Sequence, residues 1–362
     1  MIARAVRLHQ PSKIMVRATN WVGDAIMSFP AIEALRIRFP DTEIVIVAKP
    51  SVAELYLNHP ALLRLMTYDP DGEHRGRRGF RIFLAALRAE RFDAAVLLQH
   101  AFHAAWIAWR ARIPVRVGYR CQGRGTLLTH PVILPPRAQL GHESSEYLEL
   151  LFRAGLLDER PAGVRRVQLM VSKKERRWGM EALKALGLDG PRYFVGLSPG
   201  ASYGPAKRWL VDRFAAIGDR LVGALGADVL VFGSRAERPL AEAVARAMRH
   251  TPVVLAGTTT LRQWMALTER CRLVIANDSG AMHLAAAVGV PVLAIFGSTD
   301  ERRTGPLSPW ARVVRHPVAC SPCGLRECPI DFRCMEAVTV DEVHRMALEL
   351  VADYEAADER PA

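Results

Sequence analysis

The sequence has no run of apolar residues long enough to cross a bilayer. The longest, LAAAVGVPVLAIFG (284–297), falls short of the roughly 20 residues a spanning helix needs, and Gly289 and Pro291 read as a helix-to-strand turn inside it. The first twenty residues, MIARAVRLHQPSKIMVRATN, lack the continuous apolar core of an export signal. Both absences lead us to expect a cytoplasmic protein, and a reducing compartment argues against structural disulfides among its six cysteines. The glycine fingerprints GxGxxG and GxxxxGK[ST] are missing too, which disfavours a dehydrogenase or a P-loop ATPase. No zinc-finger, RRM or KH pattern occurs, so nucleic acid is not an expected partner. Acid is the scarcer charge: 37 Asp and Glu stand against 49 Lys and Arg, a net +12. That balance suits an anionic membrane surface or an acidic substrate.

What is present is a repeated alternation of strand and helix in a chain of 362 residues, long enough for two domains. In the first half, SKIMVRAT (12–19), EIVIVAKP (43–50) and FDAAVLLQ (92–99) read as buried strands. NWVGD (20–24) reads as a tight turn leading into a helix that reaches about Phe39, with Pro30 near its first turns or kinking it. HESSEYLELLFRAGL (142–156) reads as a helix with Tyr147, Leu150, Leu151 and Leu156 on its apolar face. In the second half, YFVGLSPG (193–200), DVLVFGS (228–234), RLVIAND (272–278) and PVLAIFGS (291–298) read as strands or strand ends. VDRFAAIGDRLVGAL (211–225) reads as a helix capped by Asp212 or its neighbours. Strands alternating with helices predict two parallel-sheet α/β domains, 1–175 and 176–362, joined near 172–192.

Ligands of open parallel sheets bind at the carboxyl ends of the strands. NDSGAMH (277–283) falls there, with Asp278, Ser279 and Gly280 at a helix start whose unpaired N–H groups suit a phosphate. His283 shares a helix face with Ser279. A plain Asx or Ser cap with a surface histidine would read the same way. The loop SPGASYGPAKRW (198–209) follows another strand of the same half and carries Lys207, which can neutralise a diphosphate. Its alternative is a solvated charge beside a tryptophan packed in the core.

NWVGDAIMSFPAIEALR, SPGASYGPAKRW and NDSGAMHLAAAVGVPVLAIFGST, in that order, resemble glycosyltransferase family 9, the ADP-heptose:lipopolysaccharide heptosyltransferases. The resemblance spans nearly the whole chain, and the form of the middle motif is closest to the branch that adds the second heptose. It implies the GT-B architecture: two Rossmann-like domains facing a central cleft, acceptor on the N-terminal one and ADP-heptose on the C-terminal one. It implies inverting transfer of L-glycero-D-manno-heptose to the inner core of lipopolysaccharide, on a lipid A–core acceptor at the inner membrane surface. By position, Asp24 matches the general base and Lys207 the lysine at the donor phosphates. Ser202, Asp278, Ser279, Gly280 and His283 match donor positions, with Ser279 where some relatives have threonine. FGSRAE (232–237) and AGTTTL (256–261) are the stretches nearest the expected adenosine site.

The resemblance puts the acceptor on the N-terminal half, beside Asn20 and Trp21. Arg116, Arg120 and Arg124, on the Gly-rich stretch RVGYRCQGRGTLL (116–128), are expected either to grip acceptor anions or to form a solvated basic loop. The net charge can hold the chain on an anionic inner leaflet. No cofactor is expected for catalysis, since no DxD motif is suitably placed for a divalent ion. CSPCGLRECPIDFRC (320–334) sets Cys320, Cys323, Cys328 and Cys334 in a C-x2-C-x4-C-x5-C pattern. That pattern suits a structural zinc site, an iron–sulfur cluster, reduced thiols packing a loop, or disulfides formed after purification. Two other functions fit the motifs: a transferase of the same family acting at another core position, and a non-catalytic nucleotide-sugar binding protein.

Overall fold

The computed structural model describes residues 8, 10–61, 63–136, 141–190 and 192–358. The first seven residues of the stretch examined for an export signal therefore lie outside the described residues. Among the described residues, no helix is long and apolar enough to cross a membrane. The chain divides into two compact units, Met1–Val164 and Arg165–Ala362. This division lies ahead of the joint expected at 172–192. Most of that stretch is helix, because Ser172 and Glu175 form a reciprocal capping box that starts one at Lys173.

The first unit is built on strands β1 (Lys13–Arg17), β2 (Glu43–Ala48), β3 (Arg64–Thr67), β4 (Ala94–Leu97), β5 (Val115–Tyr119) and β6 (His130–Val132). They form one sheet in the order β3-β2-β1-β4-β5-β6, with every pairing parallel. β1, β2 and β4 are almost wholly buried, as expected of strands covered by helices on both faces. The main helices are α1 (Val22–Met27), α2 (Phe29–Arg38), α3 (Gly76–Ala89), α4 (Phe102–Arg110) and α5 (Glu143–Ala154). The single helix expected through Phe39 is thus two, broken at Ser28. Pro30 has no N–H to continue the ladder, and the Ser28 hydroxyl donates to the Ala25 carbonyl at 2.7 Å where the break falls.

The second unit repeats the plan with β7 (Phe194–Ser198), β8 (Asp228–Val231), β9 (Val253–Val254), β10 (Leu273–Asn277), β11 (Val292–Ile295) and β12 (Ala311–Val314). Their order is β12-β11-β10-β7-β8-β9, again all parallel. Counted within the unit, this is the same Rossmann order as the first sheet. The main helices are α6 (Lys173–Ala185), α7 (Val211–Leu225), α8 (Arg238–Ala247), α9 (Leu261–Thr268), α10 (Gly280–Val288) and α11 (Val340–Asp358). α7 has the expected bounds, but its cap position is Leu210 with no side-chain bond; Asp212 sits inside the first turn, where its charge favours the helix dipole. α10 ends on Gly289 at φ 90°, the left-handed position that turns the chain back into β11.

Candidate active site

In each sheet the strand order reverses once, between β1 and β4 and between β7 and β10. A parallel sheet opens a crevice at such a point, beyond the carboxyl ends of the strands. In the first unit that crevice is a cavity of about 250 Å³. The β1–α1 turn lines it with Thr19, Asn20, Trp21 and Asp24, the end of β4 with Leu98 to Ala101, and the first turn of α5 with Glu143, Glu146 and Tyr147. The Gln99 amide donates to Asn20 Oδ1, tying the two strand-end loops together. His100 Nε2 lies 3.1 Å from Glu146 Oε1. Burial, then the nearby carboxylates of Asp24, Glu143 and Glu146, push the Tyr147 hydroxyl well above its ordinary pKa. Asp24 is the third residue of α1, and the cap position belongs to Trp21, which makes no side-chain cap bond. Asp24 is therefore a first-turn carboxylate facing a cavity rather than a helix cap. The pocket can surround a hydroxyl-rich ligand with carboxylates, an imidazole and an amide.

The sequence reading put Asn20, Trp21 and Asp24 in this region, and all three line the cavity. It missed Gln99, His100, Glu143 and Glu146. The signal for the last two was a pair of acids opening the 142–156 helix, of which the sequence reading used only the apolar face. The basic stretch 116–128 is not one exposed surface. Arg120 is exposed at the end of β5, but Arg124 is fully buried. Arg124 Nε donates to the Tyr119 carbonyl at 2.8 Å and its Nη1 to the Gln99 carbonyl. Arg116 Nε is likewise taken by the Leu127 carbonyl at 2.7 Å. These two guanidiniums hold strand ends and turns in place, which corrects the expectation that Arg124 stands free to grip an anion.

In the second unit the switch point gathers the two loops singled out from sequence. Lys207 Nζ lies 2.6 Å from Asp278 Oδ2, with the two side chains 12% and 4% exposed. Asp278 Oδ2 also accepts from Thr299 Oγ1 at 2.6 Å and Thr304 Oγ1 at 3.2 Å. The aspartate anchors the lysine at the strand ends, so Lys207 is not a solvated loop charge. The neighbouring Asn277, fully buried, accepts from the Trp209 N–H at 3.0 Å and donates to the Pro199 carbonyl at 2.8 Å. It clamps the two loops together from beneath. Ser279 is the cap residue of α10 but makes no side-chain cap bond, and its buried hydroxyl has no hydrogen-bond partner in the structure. The plain-cap alternative is therefore not the arrangement found. His283 is buried one turn further on, and Ser202 is exposed on the Lys207 loop. A Cβ on Gly200 would sit 2.2 Å from Glu237 Oε1, so any side chain there would have to displace that carboxylate. That glycine brings the loop against FGSRAE.

The four tail cysteines are free thiols, and among the described residues no group of three or more His, Cys, Asp or Glu side chains is placed to hold a metal ion. Cys320 and Cys323 are exposed while Cys334 is buried against Gly297. The structural zinc site, one of the readings the spacing left open, finds no support among the described residues.

Residues 81–332 match the profile of glycosyltransferase family 9 (heptosyltransferase). The chain is 32% identical over 312 residues to lipopolysaccharide heptosyltransferase 2 of Escherichia coli K12, covering 84% of this chain and 88% of that one. It is 30% identical over 310 residues to lipooligosaccharide heptosyltransferase 2 of Haemophilus influenzae, covering 83% and 88%. The solved structure of E. coli ADP-heptose lps heptosyltransferase II superposes with a TM-score of 0.80 at 28% identity, over 95% of this chain and 99% of that one. Two Rossmann sheets with polar loops at both switch points are the GT-B fold of that structure, and this chain belongs to glycosyltransferase family 9, the heptosyltransferases.

Proposed function

We propose that the enzyme moves L-glycero-D-manno-heptose from ADP-heptose to the inner core of lipopolysaccharide, as the second heptose and with inversion. The observation that carries the donor half of this reading is Lys207, held by Asp278 at the strand ends beside the N-terminus of α10. A nucleotide-sugar's diphosphate gains negative charge as the glycosidic bond breaks. A fixed ammonium, the free N–H groups of the helix start and the unpartnered Ser279 hydroxyl stabilise that charge without reorganising. With this charge supplied by the chain itself, transfer does not call for a divalent ion.

For inversion, the acceptor oxygen attacks the anomeric carbon from the side opposite the leaving ADP. The C1–O bond to the diphosphate breaks with its electron pair, and the acceptor's proton passes to a base. Asp24 has that role in this reading. Its place in the first turn of α1 favours the carboxylate form, and the cavity beside it is lined with groups suited to sugar hydroxyls. The same residues fit transfer to another core position, so acceptor identity is open to direct test. Release of ADP in the presence of defined heptose acceptors checks the proposal. Turnover only with a core acceptor that already carries one heptose is the expected result. Turnover with a different core acceptor favours the same-family alternative, and donor binding with no ADP release favours a binding protein. Activity unchanged by a chelator is expected. The +12 charge supports residence at an anionic inner leaflet, which sedimentation with anionic vesicles tests.

A further inference from the structure

The cysteine-rich segment packs directly on the loop that carries Lys207. A Cβ on Gly204 would meet the Arg326 carbonyl oxygen at 2.2 Å, so the two backbones touch there. The Ala206 N–H donates to that same carbonyl at 3.0 Å. The Tyr203 hydroxyl donates to the Gly324 carbonyl at 2.8 Å. On its other side the segment is tied to the end of β11. The Gly324 N–H donates to the Ser298 carbonyl at 2.7 Å, and the Ser321 hydroxyl donates to the Gly297 carbonyl at 2.5 Å. Residues 321–326 thus bridge the loop bearing Lys207 and the loop bearing Thr299, two of the partners of Asp278.

Tyr203 joins this bridge to the charge. Lys207 Nζ lies 4.9 Å from the centroid of its ring and the Arg326 guanidinium carbon 5.2 Å from the same centroid. Two cations share one aromatic ring, which attracts each of them to its π face. Lys207 is already matched by Asp278. Arg326 is exposed, and no ion pair to it is recorded among the described residues. A guanidinium offers a planar fork that takes two phosphate oxygens at once.

We propose that residues 321–326 form a wall of the donor site, and that Arg326 gives a nucleoside diphosphate its second cation while Tyr203 positions Lys207. The proposal rests on the reading of the Lys207 loop as the donor site. It assigns the two cations to the diphosphate as a pair: Lys207 from within the strand ends, Arg326 from the segment laid over them. A nucleoside monophosphate, with one phosphate fewer, gains less from the second cation.

The test is isothermal titration of ADP and AMP into the full chain, comparing wild type with Arg326→Ala, Arg326→Lys, Tyr203→Phe, Tyr203→Leu and Lys207→Ala. Thermal melting of each variant controls for folding. Arg326→Ala should weaken ADP binding about tenfold, as loss of one charge-assisted contact does, and AMP binding much less. Arg326→Lys should recover part of the loss. Tyr203→Phe, which keeps the ring, should bind ADP better than Tyr203→Leu. A purely structural role for Arg326 would weaken ADP and AMP alike, or lower the melting temperature without changing their ratio, and either result overturns the proposal. If Lys207→Ala weakens ADP binding while Arg326→Ala leaves it unchanged, the donor-site reading stands and this inference fails. If neither variant affects ADP, the donor-site reading itself is wrong.

Discussion

At the residue scale, the two acidic and basic groups with clearest chemical opportunity sit in different surroundings. Lys207 is almost enclosed and fixed by Asp278, which is itself held by two threonine hydroxyls. Such preorganisation is what makes one electrostatic group count: Lys207→Ala should raise the barrier by about 2–4 kcal/mol, read as a fall in kcat/KM. Near-normal turnover would remove Lys207 from the mechanism. Asp24 lines an open cavity and does not occupy the cap position. Asp24→Asn should therefore keep the melting temperature and donor affinity but lower kcat by roughly 10²–10⁴-fold, the loss typical of a general base. A folded variant with wild-type kcat would end that assignment. Arg124 behaves differently from both. It is buried, with Nε and Nη1 donating to backbone carbonyls, so Arg124→Ala should lower the melting temperature by leaving buried carbonyls unpaired. Arg120→Ala, at an exposed position, should leave stability unchanged and weaken acceptor binding in a salt-dependent way. Acceptor KM equal to wild type in Arg120→Ala would count against a role in binding.

At the element scale, α6 shows how one local device fixes the start of the second unit. Ser172 accepts from the Glu175 N–H at 3.3 Å, and Glu175 Oε2 accepts from the Ser172 N–H at 2.7 Å. The same carboxylate receives Arg262, with Nη2 2.6 Å from Oε2 and Nε 2.7 Å from Oε1, linking α6 to α9. Burial alone would raise the Glu175 pKa; the Arg262 and Ser172 hydrogen bonds outweigh it and bring it to about 2. The folded value lies below the unfolded one, so the stabilisation is complete above the unfolded-state pKa of about 4.3 and is lost as the pH falls toward 2. Discounted for solvent screening, it amounts to about 1–2 kcal/mol. Glu175→Gln should flatten the acid limb of the stability curve between about pH 5 and pH 2, relative to wild type, in urea titrations. An unchanged acid limb would show that the pair contributes nothing to stability.

At the scale of the whole molecule, each sheet brings its own core. The second unit buries Val195, Leu197, Phe214, Ile275 and Leu293 among others on one face of its sheet, and Phe194, Leu230, Val274 and Phe296 on the other. Its candidate donor residues, from Ser202 to Arg326, all lie inside that unit. Residues 165–362 produced alone should therefore fold cooperatively and bind ADP within about threefold of the full chain, a difference well under 1 kcal/mol, while showing no transfer. A fragment that melts without cooperativity, or that binds ADP far more weakly, would show that the donor site needs the first unit. The cationic excess is also a property of the whole chain. Binding to anionic vesicles should fall steeply as salt rises, because the Debye length shortens from about 10 Å at 0.1 M to about 3 Å at 1 M.

The alternation of buried runs with amphipathic stretches was enough to read two parallel α/β units, and α7 came out at its expected bounds because its period and its Gly226 stop agree. The loops NWVGD, PAKRW and NDSG stood out as short polar turns at strand ends, but each could equally be read as a cap or a solvated charge, and the roles of Asp24 and Lys207 came from the family resemblance. What lay beyond the sequence was everything set by distance between remote residues. The edge strands β3, β9 and β12 are short and only half-buried, so they carry no strong pattern. The fate of Arg124 depended on whether carbonyls 119 and 99 converge on it, and the cavity around Asp24 needed α5 to bring Glu143 and Glu146 across from far along the chain. The cysteine spacing suggested a metal among other readings, but it could not show that the backbone of 321–326 ties the Lys207 loop to the loop after β11. Composition and periodicity determined which segments are strand, helix or turn, because those are local free energies. Which polar groups face a ligand and which merely satisfy the backbone was decided by the tertiary structure, because burying a charge or a carbonyl is settled only by the partners that arrive beside it.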